Sequence, residues 1–249
     1  MGLIIYNGPS QLDGQPILGI VTGARERGGL RRSKNSKITD GGHAAQLWII
    51  RADMHPADAL KTGGDASICG DCKLRGENGK GRSCYVNMNP VFTLYRSFPN
   101  MEVVEPFDAG TRCDASSLVR LGAYGDPVAL PFDVIDQFMA GARSVGVETF
   151  TGYTHQWRSA HENFRRILMA SCESAAGHLE AIADGWRTFT LLRPGEKVKN
   201  TVMCPASAEA GYKTNCDSCG LCNGKRDDAD KRKSIFIAPH GIGARNAPV

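Results

Sequence analysis

The sequence predicts an α/β protein. Its parallel sheet carries helices outside, with a small N-terminal antiparallel sheet before it and a C-terminal Cys-rich metal-binding extension after it. Three observations carry this expectation. From residue 118 onward, short apolar runs alternate with amphipathic stretches, as in strands joined by crossover helices. Before residue 64, short strand-like runs are joined by a turn at Asp13-Gly14. Seven of the nine cysteines fall in two tight groups, the second within residues 204–249. The expected organisation is therefore a β-rich segment 1–64, an α/β body 65–203 and a Cys-rich segment 204–249.

The elements follow in order. Residues 3–6, 16–22 and 46–51 read as strands, and the Gly-rich, basic stretch 23–43 as a loop. Met54 to Leu60 reads as a short helix ended by Gly63-Gly64. Val86, Phe92, Leu94 and Tyr95 give the next helix an irregular apolar face, and residues 99–117 carry no clear pattern. Leu118–Ala123 is a strand. Phe132, Ile135, Phe138 and Met139 then stand at helical spacing, closed by Gly146. Strands are expected at 147–153, 167–171, 186–192, 201–203 and 234–238, with helices at 159–165 and 175–183. Chemistry in parallel sheets gathers at the carboxyl ends of strands. Those ends carry Asp126, His155, Arg158, Ser171, Glu173, Arg193 and Cys204.

Composition narrows the class. The chain has 249 residues, 41% of them hydrophobic, enough for a real core. No apolar run approaches the ~20 residues that span a bilayer. The start lacks a basic n-region, and Tyr6 breaks the myristoylation pattern. A cytoplasmic protein without membrane contact is expected. Thiols stay reduced there, so clustered cysteines point to metal or redox chemistry rather than disulfides. The net charge is +4, but the basic residues are uneven. Arg25, Arg27, Arg31, Arg32, Lys34 and Lys37 crowd one stretch. Lys225, Arg226, Lys231, Arg232 and Lys233 crowd another, diluted by Asp227, Asp228 and Asp230. Such runs are either solvated loops or contacts to nucleic-acid phosphates.

The cysteines carry the chemistry. Cys69 and Cys72 form a C-x2-C turn, and Cys84 follows after eleven residues. Cys204 precedes Pro205, and eleven residues later comes the run Cys216, Cys219, Cys222. A C-x2-C turn lets two thiolates converge on one metal centre. The four-thiol group suits a [4Fe–4S] cluster or a structural zinc; its consecutive spacing is closer to ferredoxin segments than to paired zinc knuckles. The three-thiol group is either an iron–sulfur cluster with one open iron or a closed site. For a closed site, Cys113, Cys172, His43 and His55 are the candidate fourth ligands.

Two resemblances follow from these residues. Cys84-Tyr85 resembles the end of the radical S-adenosylmethionine (radical SAM) motif, where an aromatic residue follows the last cysteine. The Gly122-Ala-Tyr-Gly125-Asp126-Pro127 segment is similar to the Gly-Gly-Glu-Pro turn of that superfamily, with Asp126 in the Glu place. The spacing here is C-x2-C-x11-C, where the superfamily has C-x3-C-x2-C. The resemblance implies a partial (β/α) barrel and S-adenosylmethionine near Tyr85, Gly122, Gly125 and Asp126. It also implies a [4Fe–4S] cluster on Cys69, Cys72 and Cys84, a second on Cys204, Cys216, Cys219 and Cys222, and an external electron donor. The wider series CGDC, GAYGDP, GYTHQWR and CPASAE resembles a small Cys-rich family encoded by bacteriophages, which implies the cytoplasm of a bacterial host rather than an activity.

The remaining polar residues have two readings each. His155 and Arg158, beside Gln156 and Trp157, suit substrate contacts such as a phosphate, a carboxylate or a stacked base, or a loop that satisfies its own backbone. Glu173 suits a catalytic base or a ribose contact, or an acid favourable to a helix N-terminus. His240 is a ligand or a core residue. The functional expectation is an iron–sulfur, radical SAM-like enzyme acting on a nucleotide or nucleic-acid base. The alternative is a zinc-stabilised, non-radical protein that binds or modifies nucleic acid.

Overall fold

In the computed structural model the described residues are 2–26, 29, 38–39, 42–78, 80–240 and 244–247. The strands β1 (Leu3–Pro9), β2 (Pro16–Thr22) and β3 (Ala44–Arg51) pair antiparallel in that order. The turn between the first two centres on Gly14 at φ 76°, a conformation that glycine adopts without strain. A two-residue strand, β4 (Glu102–Val103), lies parallel to β1 at one edge. On its other side β3 pairs parallel with β5 (Leu118–Tyr124). The strands β6 (Thr149–Thr154), β7 (Met169–Cys172) and β8 (Thr188–Leu191) continue in parallel. Beyond β8 come β10 (Ser234–Ile237) and then β9 (Thr201–Met203) at the far edge.

The result is one mixed sheet of ten strands. The N-terminal strands are therefore not a sheet of their own, as the sequence predicts, but the antiparallel end of the main one. The reason lies in β3, which is buried along most of its length. A strand covered on both faces belongs in the middle of a sheet.

Seven α-helices are present among the described residues. Helix α1 (Pro56–Thr62) is capped by the His55 ring, which accepts from Ala57 N, and ends at Gly63 with φ 79°. Helices α2 (Ala66–Cys69) and α3 (Met88–Ser97) flank the first Cys loop. The unpatterned stretch 99–117 contains α4 (Pro106–Thr111). It packs on α5 (Phe132–Ser144) through Gly110 and Gly141. A Cβ on Gly141 would lie 2.0 Å from the Phe107 carbonyl oxygen, so only glycine allows this approach. Helix α5 forms because Val134, Ile135, Phe138, Met139 and Ala142 make one buried stripe. Ser174 caps α6 (Ala175–Ala183) by accepting from Gly177 N. The short α7 (Cys216–Cys219) sits in the second Cys group. Residues 159–165, expected as a helix, form a 3-10 turn over Glu162–Arg166.

A large core unites β1–β3, β5 and β6 with α3, α4 and α5. A second, smaller cluster contains Met169, Phe189, Leu191, Ile235 and Ile237, and four cysteines belong to it: Cys72, Cys84, Cys204 and Cys222. No helix among the described residues is long and apolar enough to cross a membrane.

Candidate metal centre

The first Cys loop follows β3, the first strand of the parallel run. Cys69 ends α2, and Gly70 turns the chain at φ 56°. Leu74 folds the loop back, its carbonyl accepting from both Ser83 N and Cys84 N. Arg75 ties the loop to its own entry, donating to Asp65 Oδ1 at 2.6 Å and to the Gly63 carbonyl. These bonds bring Cys69, Cys72 and Cys84 close enough for their charges to couple. Burial, reinforced by the neighbouring thiols and by Asp65 and Asp126, pushes Cys69 well above its usual pKa.

Residues after β5 and β6 are stitched onto this loop. Asp126 N donates to the Ile68 carbonyl at 2.6 Å. The Asp126 carboxylate accepts from Val128 N, Thr154 Oγ1 and His155 N. Gln156 Nε2 donates to the Cys69 carbonyl at 3.0 Å. Asp126 is thus buried and carries three donors, so it acts as a fastener between strand ends. Gly122 and Gly125 both have positive φ. At Gly125 a Cβ would stand 2.8 Å from Ile49 Cβ, so this turn packs against β3.

His155 and Glu173 come together here. His155 Nδ1 lies 2.6 Å from Glu173 Oε1. Burial disfavours charge on the imidazole, but Cys72, through its charge and a hydrogen bond, and Glu173 outweigh it and raise the His155 pKa well above its usual value. Arg158 is elsewhere. It forms a two-pronged pair with Glu180 at 2.8 and 2.6 Å and lies over the Trp157 ring at 3.9 Å. Its guanidinium is committed to the surface.

Cys204 N donates to the Phe236 carbonyl within β10, and the Cys222 carbonyl accepts from Gly152 N within β6. Lys225 N donates to the Arg165 carbonyl. The segment Cys222–Lys225 therefore runs between Gly152 of β6 and the backbone at Arg165. Gly224 makes this possible, since a Cβ there would lie 2.4 Å from the backbone of residues 165–167. Arg187 clamps the segment, donating to the carbonyls of Leu221, Asn223 and Lys233. Burial pushes this arginine down to about 10. Burial, partly offset by a hydrogen bond from Tyr153 and reinforced by Cys204, Cys216 and Cys219, pushes Cys222 up to about 12.

Tyrosines stand between the groups. Tyr153 hydrogen-bonds Cys222, and Tyr85 stacks on His240 at a centroid distance of 4.7 Å. Tyr85 keeps 40% of its surface exposed, yet desolvation at its hydroxyl, with Cys84, Cys72 and Cys222 adding to it against Arg120, pushes that group up to about 12.

None of the nine cysteines is in a disulfide. Among the described residues, no three His, Cys, Asp or Glu side chains are already arranged to hold a metal ion. The thiols are gathered rather than converged. Two observations nevertheless fit a metal. Gathered thiols raise one another's pKa, a repulsion that a bound cation relieves. In addition, among the described residues four buried side-chain atoms lack a partner: Arg75 Nε, Ser83 Oγ, Tyr124 OH and Arg187 Nε. Arg75 and Ser83 lie in the first Cys loop. Tyr124 couples to Cys69 and Cys84, and Arg187 to Cys222. Orphaned buried polar atoms are rare in folded proteins; the two guanidinium N–H groups among them call for an acceptor, such as a thiolate or a cluster sulfide, rather than for a cation.

The other fourth-ligand candidates are placed away from the first group. Cys113 is fully buried in the large core, with Sγ on the Ala109 carbonyl. Cys172 is turned to the Ala170 carbonyl. His55 caps α1 and stacks with Phe92 and Tyr95. His43 precedes β3, at the opposite end of that strand from the Cys loop. The sequence signal missed at this site is the pairing of His155 with Cys72, which are 83 positions apart. A β6–loop connection places them together, and no local spacing reports it.

A cleft of about 620 Å³ borders the second Cys group at Asn223 and Gly224, with Arg143, Arg166 and Arg226 against Asp136 and Glu148 beside Phe132 and Phe150. Of the first basic stretch, Arg25 pairs with Asp114, while Arg27, Arg31, Arg32, Lys34 and Lys37 lie outside the described residues. In the second stretch, Arg232 is taken up by Asp230 and Asn223.

Compared with known proteins, the chain matches no family model, no curated protein and no solved structure.

Proposed function

We propose that this chain is a two-centre iron–sulfur protein on a radical SAM-like partial (β/α) barrel. Cys69, Cys72 and Cys84 hold the first [4Fe–4S] cluster. Cys204, Cys216, Cys219 and Cys222, in the C-terminal Cys-rich extension, hold the second. The observation that carries this reading is positional. The three-thiol loop follows the first strand of the parallel run, and the glycine turn Gly122–Pro127 follows the second. With S-adenosylmethionine, such a cluster supplies an electron-initiated hydrogen abstraction. Asp126 then positions the Cys loop and His155 rather than touching the cofactor, because its oxygens are taken. Backbone around Gly122 and Gly125, with Tyr85, would line the cofactor side. A nucleotide or nucleic-acid base is the substrate class that the basic stretches support, and an external electron donor would be needed.

The test is anaerobic purification with iron supplied in excess. The expected product is brown, with broad thiolate-to-iron absorbance, and Cys84→Ser removes the iron of one centre only. Stoichiometric zinc in a colourless protein from the same preparation overturns the iron reading. A specific observation favours that zinc alternative. His155 is anchored by Glu173, and the next residue, Gln156, bonds the Cys69 carbonyl; three thiolates with one imidazole make an ordinary closed zinc site.

A further inference from the structure

We infer that His155 is the fourth ligand of the first centre, with Glu173 orienting its ring. This rests on the reading of Cys69, Cys72 and Cys84 as metal ligands, and it holds for iron or zinc.

The argument begins with the histidine's two nitrogens. Nδ1 faces Glu173 Oε1 at 2.6 Å. A carboxylate there keeps the ring proton on Nδ1. The remaining nitrogen, Nε2, is then the one left for the Cys69–Cys72 turn, on which residues 155–156 are docked. A metal-bound histidine almost always gives its other ring nitrogen to a carboxylate or carbonyl, which fixes the tautomer and the ring angle. That outer contact is already in place here.

The second line is the way the ring is delivered. His155 N is held by Asp126 Oδ2 at 2.8 Å, and Asp126 N is held by the Ile68 carbonyl, one residue before Cys69. The next residue, Gln156, reaches the Cys69 carbonyl. Gly70 must lack a side chain, because a Cβ there would lie 2.3 Å from the Gln156 carboxamide. Two independent fasteners thus dock residues 155–156 on the Cys69–Cys72 turn. A histidine that merely filled a loop would need neither.

Glu173 points the same way. It stands just before Ser174, and Ser174 already caps α6. The acid is therefore not occupied as the helix cap and turns to the imidazole. An imidazole in the fourth position also means that S-adenosylmethionine, if it binds, must displace His155.

The test uses the full chain loaded anaerobically with iron and reduced, carrying ¹⁵N-labelled histidine. Pulsed electron paramagnetic resonance should show a directly bound imidazole nitrogen. That coupling should vanish in His155→Ala. His155→Cys should restore a stable centre without the nitrogen signal. Glu173→Gln should keep the signal but weaken metal retention about tenfold or more. For zinc-loaded protein, cobalt(II) replaces zinc, and His155→Cys should raise the thiolate charge-transfer intensity by about one third, from three thiolates to four. An unchanged nitrogen or cobalt spectrum in His155→Ala, with the metal still on the three thiols, overturns the assignment alone. No metal lost on replacing Cys69, Cys72 and Cys84 overturns the metal reading and the assignment with it.

Discussion

The Cys69–Cys84 loop and the Cys204–Cys222 segment share an eleven-residue gap, yet the sheet holds them by different means. The first is docked from outside, by the Asp126 backbone N–H and the Gln156 side chain, which reach it from strand ends, while Arg75 ties the loop to its own entry. The second is threaded into the sheet. Its backbone replaces a strand partner beside β6, and the buried Arg187 satisfies its carbonyls. Both contribute cysteines to one apolar cluster. A docked loop can change its contacts without unfolding the sheet, whereas a threaded segment cannot. The comparison therefore makes the first group the more adaptable of the two and the second the more tightly tied to the sheet.

The largest expected difference is in metal removal. Structural metal sites contribute ~10–16 kcal/mol of apparent folding free energy. Cys222→Ser, or a strong chelator, should abolish the cooperative thermal transition. Cys84→Ser should leave that transition in place at a lower midpoint. Equal loss of folding in both variants, read by calorimetry, would break the distinction.

Arg187→Met comes next. It strips the cation from three carbonyls in a buried setting, where bonds to a charged group count for ~1.5–3 kcal/mol each. Burial of the cation offsets part of this. We expect a loss of about 3 kcal/mol in urea unfolding, together with loss of metal from the second group and retention by the first. Retention by both groups would mean that the clamp is not coupled to the second centre.

Gly70→Ala probes the docked loop. Strain at φ 56° and the collision with Gln156 should cost about 1–3 kcal/mol. The change should also lower metal occupancy of the first group while leaving that of the second unchanged. A shift in both occupancies would show that the two regions fold as one unit.

The smallest effect concerns the tail of the second segment. Arg232, with the backbone amides of Arg226 and Arg232, holds the Asp230 carboxyl well below the usual range. Its stabilising contribution is complete above the unfolded-chain value of about 4. It is lost as the pH falls through the lower folded value. Asp230→Asn should therefore cost ~1 kcal/mol near neutral pH and reduce the acid-induced loss of stability below pH ~4. An unchanged acid limb in the variant would remove Asp230 from the account.

Much of the element order is legible in the sequence. Helix α5 and the strands from β5 onward follow from periodicity, because each buries one face or lies in the sheet interior. Helix α4 is not legible. It is six residues long, and its fit depends on Gly110 meeting Gly141, a contact made across 31 positions. The site divides likewise. The grouping of the seven thiols is local in sequence, whereas the structure packs Cys204 and Cys222 in one apolar cluster and Cys216 against another, with Ile38, Ala44 and Leu118. The pairing of His155 with Glu173 at Cys72 is not local, and neither is the surface commitment of Arg158 to Glu180.

The sequence by itself determined an α/β chain with three thiols in one loop and four in another, because residue spacing along a turn or strand is local information. Only the tertiary structure decided that the N-terminal strands continue the main sheet, since β3 must be covered on both sides. It also decided that the Cys69–Cys84 loop meets His155, because that contact depends on which strand ends the sheet order brings together.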